Sequence, residues 1–173
     1  MKRELADHSL PEEGRGLEAA YADFKRLVRP YTLGNIHPRF WGWVIGASSP
    51  AGMMADMLAG GMNVNVWGAE ESAAYVEAQV IGWFRNVFGY PAETSGLLVS
   101  SGSMANLVAL TVARDAAGGD ALIEHGLHAA PQLVAYCSTE THNSNDKAAS
   151  ILGLGRRNLR KVPVDDDYRI DTG

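Results

Sequence analysis

Gly96-Leu97-Leu98-Val99-Ser100-Ser101-Gly102-Ser103-Met104-Ala105-Asn106-Leu107-Val108-Ala109-Leu110 is the stretch that decides the fold. Its first four residues form a short apolar run that reads as a buried strand. Its polar centre is a turn, and from Met104 the apolar residues recur at helical spacing until Gly118-Gly119. A second unit of the same kind follows. Leu133 to Cys137 reads as a strand, Ser138 to Asn143 as a polar turn, and Ser144 to Leu152 as a helix closed by Gly153 and Gly155. Leu159 to Val164 reads as a third strand. Strands and helices alternating at this spacing predict a parallel α/β sheet, whose ligands sit beyond the carboxyl ends of the strands.

Upstream, Val76, Val80, Trp83, Phe84 and Val87 predict a helix that starts at Ser72, an expected N-cap, and stops at Gly89 and Pro91. Residues 37–68 are apolar but broken by glycine and proline, with a short helix expected over Ala51 to Leu58. Such a stretch is expected to pack on another surface, a partner subunit included. Leu17, Tyr21, Phe24, Leu27 and Val28 form a helix-spaced stripe that Pro30 ends. Asp165 to Gly173 reads as a loop leading into another helix. A sheet of three parallel strands would have an open edge, so the chain reads as the front of a longer protein.

The 173 residues suit one domain of ordinary size, and 46% hydrophobic with 20% charged residues argues against intrinsic disorder. A formal net charge of −5 argues against nucleic-acid binding. Cys137 is the single cysteine, which rules out an internal disulfide and fits a reducing cytoplasm. The charged start of the chain is no signal peptide, and no apolar run reaches membrane-spanning length.

In the first unit, the backbone amides and the helix dipole converge at Ser101-Gly102-Ser103, an arrangement that takes a phosphate; neither a GxGxxG nor a P-loop pattern is present. The plain alternative is that Ser103 only caps the helix and Gly102 only makes the turn. His142 follows the second unit's strand, where an imidazole can stack on a flat cofactor or move a proton; the alternative is a surface-loop histidine. His125 and His128 have a helical metal-ligand spacing but no third ligand nearby. Glu70-Glu71 reads as a solvated helix start, and Trp41 and Trp43 as packing residues or the lining of a pocket or interface.

Four ordered blocks, His37-Pro38-Arg39-Phe40-Trp41-Gly42-Trp43, Ser48 to Leu58, Ser101 to Leu110, and Thr141 to Ala149, together resemble the group II pyridoxal-phosphate-dependent amino-acid decarboxylases. The resemblance runs from about residue 20 to residue 168. It implies a fold-type-I, aspartate-aminotransferase-like α/β enzyme acting as a homodimer. Residues 1–49 would form a helical segment wrapping the other subunit, and residues 50–173 the first, incomplete part of the large cofactor-binding domain. It also implies that pyridoxal 5′-phosphate is the cofactor. Ser101, Gly102 and Ser103 would hold its phosphate, and His142 would stack on its ring as the catalytic residue. Trp43, Val44 and Ile45 would line the substrate entrance. The implied substrate is an amino acid, with an aromatic one favoured.

The family also needs a lysine, in a His-Lys pair, to hold the cofactor covalently, and an acid facing the ring nitrogen. The four lysines, Lys2, Lys25, Lys147 and Lys161, stand in no such pair, and no acid matches the ring partner. The isolated chain is therefore expected to be inactive. Two other readings follow the same residues: a non-catalytic binding or dimerisation module derived from the family, and a nucleotide binder using the same turn.

Overall fold

A computed structural model describes residues 10, 12–65 and 70–171. Two compact units divide the chain, Met1–Asn65 and Val66–Gly173.

The first unit opens with helix α1, Gly16–Asp23, which runs on as a π-helical turn, Phe24–Val28, and a 3-10 turn, Arg29–Tyr31. The apolar stripe is therefore continuous, but Pro30 sits within the final turn instead of ending it. Asp23 ties the segment together by accepting from Arg15 at 2.7 Å and Arg26 at 3.2 Å. The Arg26 hydrogen bond, followed by that of Arg15, holds its carboxyl below the ordinary value of 3.8. Among the described residues of this unit, Leu27 is the buried apolar side chain. Helix α2, Pro50–Met62, is longer than the expected Ala51 to Leu58 because both of its ends are well made. The Ser49 hydroxyl accepts from the Gly52 amide at 3.1 Å, Pro50 has its missing N–H at the first helical position, and Asn63 closes the helix in left-handed geometry.

The second unit begins with α3, Ser72–Phe88. Glu71, not Ser72, occupies the N-cap position, and no side chain caps it. Gly89 ends the helix at φ 69°, where its amide donates to the Asn86 carbonyl and that of Tyr90 to the Arg85 carbonyl. Residues 96–99 do not form the expected strand. A strand requires a ladder, and here the Leu98 amide donates instead to the Glu77 carboxylate on α3 at 2.8 Å. Leu97 and Leu98 are half exposed, and Leu97 lines an apolar groove of about 610 Å³ with Val99, Val108 and Val112.

Helix α4, Gly102–His125, overruns the expected stop. Gly119 does break it, at φ 66° and ψ −170°, but the chain resumes helical geometry to His125. Strand β1, Ala135–Ser138, helix α5, Ser144–Ile151, and strand β2, Leu159–Val162, complete a βαβ unit. The strands pair in parallel with Ala135 opposite Leu159 and Ser138 opposite Val162. The described sheet thus has two strands where three were expected. After Val164 the chain bends back through Asp165, whose side chain accepts from the Asp167 and Arg169 amides, and Val164 bridges Ile170 antiparallel. This turn occupies the stretch that the sequence reads as a loop.

The core of the second unit is small: Leu122, Ala148, Ala149 and Leu159 are its buried apolar residues among those described. Helices α4 and α5 pack against each other, and Ala148 and Ala149 are the buried apolar residues of α5. Among the described residues no helix is long and apolar enough to cross a membrane.

Candidate functional site

The turn before α4 is built by its own first serine. Ser101 is the N-cap, in extended geometry, and its hydroxyl accepts from the Met104 amide at 3.3 Å while its carbonyl accepts from the Ala105 amide. The plain alternative had given the cap to Ser103, and that assignment is corrected: Ser103 lies in the first helical turn. Its hydroxyl, like the amides of Gly102 and Ser103, has no partner among the described residues. A Cβ placed on Gly102 would meet nothing within 4 Å, and its φ is not in the left-handed region. Gly102 is therefore not needed for the turn's geometry, and its lack of a side chain leaves room for a ligand to reach the backbone. Free donors, open space and the positive end of a long helix make this a fit place for a phosphate.

His142 lies four residues beyond the end of β1. The turn leading to it is closed by the Thr139 amide donating to Val162, the Thr141 amide donating to Ser138, and a 3.0 Å contact between the Ser138 and Thr141 hydroxyls. The His142 side chain is exposed but not loose. Its Nδ1 lies 3.0 Å from the Ser144 hydroxyl and accepts the Ser144 amide at 3.2 Å. Ser144 is 2% exposed, and its hydroxyl accepts from the Asn106 side-chain amide of α4 at 2.8 Å. Asn106 is five residues beyond Ser101, about 7.5 Å of helix rise, so one helix carries both the phosphate-type turn and the support of the imidazole. Sequence reading missed Asn106 and Ser144 as functional positions. The available signal was an amide side chain just before the apolar run Leu107-Val108-Ala109-Leu110.

The βαβ unit that presents His142 is held by Lys161 of β2, which donates to Asp146 in the first turn of α5 at 2.9 Å. That hydrogen bond holds the Asp146 carboxyl below its ordinary value and the Lys161 ammonium above its own. Arg160, the neighbour of Lys161, lies over the Tyr136 ring and donates to its hydroxyl.

Trp43, Val44 and Ile45 belong to the first unit. They are exposed, Trp43 adopts a left-handed φ of 53°, and their loop is fastened by the Asn35 side chain donating to the Gly46 carbonyl at 2.9 Å. His125 faces Glu124 at 3.8 Å, and the described residues contain no group of three or more metal-type ligands.

A parallel βαβ unit joined to long helices defines an α/β protein, with polar groups gathered at a helix start and past a strand end. The pyridoxal-dependent decarboxylase conserved domain matches residues 1–172. The chain is 35% identical over 170 residues to the aromatic-L-amino-acid decarboxylase of Bacillus atrophaeus, covering 97% of this chain and 34% of that protein. Mouse CSAD in apo form is alike in fold, with a TM-score of 0.86 at 24% identity over 98% of this chain and 36% of that one. Oryza sativa TDC, crystallised with PLP and tryptamine, gives a TM-score of 0.77 at 26% identity over 94% of this chain and 37% of that one. This chain therefore spans about a third of the length of the relatives it matches. It belongs to the pyridoxal-dependent decarboxylase family, whose cofactor is pyridoxal phosphate.

Proposed function

We propose that this chain supplies the phosphate-binding and ring-stacking part of an enzyme that removes carbon dioxide from an amino acid, with aromatic side chains preferred. The observation that carries the reading is the pairing, through one helix, of an open, donor-rich turn at Ser101-Gly102-Ser103 with a braced imidazole at His142. The amides of Gly102 and Ser103 and the Ser103 hydroxyl bind the phosphate oxygens, and Ser101 holds the turn open by capping the helix itself. His142 would stack on the cofactor ring. When bound, pyridoxal phosphate supplies an electron sink for the carbanion left as carbon dioxide departs. Trp43, Val44 and Ile45 contribute apolar surface at the substrate entrance. The aromatic preference rests on the identity to the Bacillus atrophaeus enzyme.

The active assembly is a homodimer in which residues 1–49 wrap the second subunit, and the exposed Trp41, Trp43 and Val44 of that segment suit such a role. A cytoplasmic setting suits a chain with one cysteine. No lysine of this chain stands in the family's His-Lys pair, so these 173 residues alone give no turnover.

Titration of the purified chain with pyridoxal phosphate, followed by cofactor absorbance and tryptophan fluorescence, tests the reading. Saturable binding that inorganic phosphate competes away, and that weakens in Ser103→Ala and His142→Ala, is the expected result. A folded chain that shows no saturable binding at millimolar cofactor overturns it.

A further inference from the structure

Ser144 is almost wholly buried, yet its hydroxyl meets two hydrogen-bonding groups, and its backbone N–H meets one of the same two. The Asn106 amide donates to its Oγ at 2.8 Å, which leaves the single hydroxyl hydrogen free to point to His142 Nδ1 at 3.0 Å. The Ser144 backbone N–H is aimed at the same nitrogen, at 3.2 Å. Two donors converging on Nδ1 require that atom to be an acceptor, so the neutral ring carries its proton on Nε2. Nε2 has no partner among the described residues.

We infer that Ser144, oriented by Asn106, is a positioning residue that fixes both the tautomer and the plane of His142, leaving an Nε2–H donor and a ring face for the ligand. The inference rests on the proposed cofactor site for its purpose, but the hydrogen-bond chain itself exists without the cofactor. Its effect reaches further than one ring. Asn106 stands on the helix whose first turn carries the phosphate donors, so the distance between the phosphate turn and the imidazole is set through side chains and not only through the loop after β1. A site whose supporting groups are locked in this way loses no ligand-binding free energy to ordering them.

The test uses the chain labelled with 15N-histidine. Two-bond 1H–15N spectra at pH 8 report which ring nitrogen carries the proton, and the His142 signals are identified by their loss in His142→Asn. The expected result is a single tautomer protonated on Nε2 before any cofactor is added. Ser144→Ala removes the hydroxyl but keeps the backbone N–H on Nδ1, so it shifts the tautomer balance toward Nδ1–H without abolishing the Nε2–H form, and it binds pyridoxal phosphate about 5-fold more weakly, the scale of one lost hydrogen bond. Ser144→Thr, which keeps the hydroxyl, restores the single tautomer. Asn106→Ala, which leaves Ser144 in place, shifts the tautomer balance in the same direction as Ser144→Ala and so carries the test if that variant does not fold.

A His142 ring protonated on Nδ1, or an unchanged tautomer and unchanged affinity in both variants, overturns the inference while leaving the cofactor reading intact. A fixed Nε2–H tautomer that depends on Ser144, in a chain that binds no pyridoxal phosphate, upholds the positioning role and overturns the cofactor reading instead.

Discussion

Replacing Gly119 with alanine isolates the cost of the backbone break in α4. At φ 66° and ψ −170° this residue lies in a region that L side chains rarely enter, while a Cβ added there would meet nothing within 4 Å. The penalty is therefore conformational, about 1–3 kcal/mol, offset by about 0.4–1 kcal/mol from the reduced freedom of the unfolded chain. A net loss of about 1–2 kcal/mol is expected. Gly118→Ala provides the contrast, because its Cβ would collide with Leu122 Cδ1 and lie 3.0 Å from Leu122 Cγ, atoms that Leu122→Ala removes, and Leu122 is 3% exposed. Overpacking of that kind costs about 1–3 kcal/mol and depends on the neighbour. Urea denaturation of both variants, each also combined with Leu122→Ala, separates the two causes. Gly118→Ala should couple to the Leu122 truncation by at least about 0.5 kcal/mol, whereas Gly119→Ala should add to it within about 0.5 kcal/mol. A Gly119→Ala protein as stable as the parent, or one whose loss is rescued by Leu122→Ala, refutes the reasoning.

The remaining predictions concern the supports of the site. Ser101→Ala removes the α4 cap and should destabilise by about 1 kcal/mol in chemical denaturation, while Ser101→Gly costs only a few tenths. Ala149 is 1% exposed on the face of α5 that meets its neighbours, so Ala149→Leu should cost about 1–3 kcal/mol by the same measurement. The Lys161–Asp146 pair predicts a pH dependence at both extremes. Asp146 is held below its ordinary 3.8, so its contribution is present above that pH and lost as acid titrates the folded carboxyl. Lys161 is held above 10.5, so its contribution is full below that value and lost as the pH rises through the folded value. In Lys161→Met both slopes should flatten, read as unfolding midpoints across the pH range.

Much of the second unit could be read from local pattern. The α5 helix begins at Ser144, as its polar turn and apolar spacing indicate, and β1 pairs in parallel with β2 as alternating elements require. What could not be read depended on partners distant in sequence. Residues 96–99 have the composition of a strand, but a ladder needs a neighbour, and Glu77 answers the Leu98 amide instead. Gly118-Gly119 was legible as a break but not as an interruption between two helical segments, because the continuation depends on Leu122 finding a buried position. At the candidate site, Ser101, Gly102, Ser103 and His142 stood out by residue type and by place. Asn106 and Ser144 did not, since their significance lies in a bond across 38 residues of sequence.

That bond also constrains how this protein can change over time. Ser144 is buried and Asn106 is its amide donor, so substitution of either position alone leaves a polar group of the other without its partner. Neutral drift at position 106 is thereby tied to the residue at position 144. Among relatives the two sites should vary as a pair: where one loses its polar side chain, the other should become apolar or small, and the histidine two residues before it should find its support elsewhere.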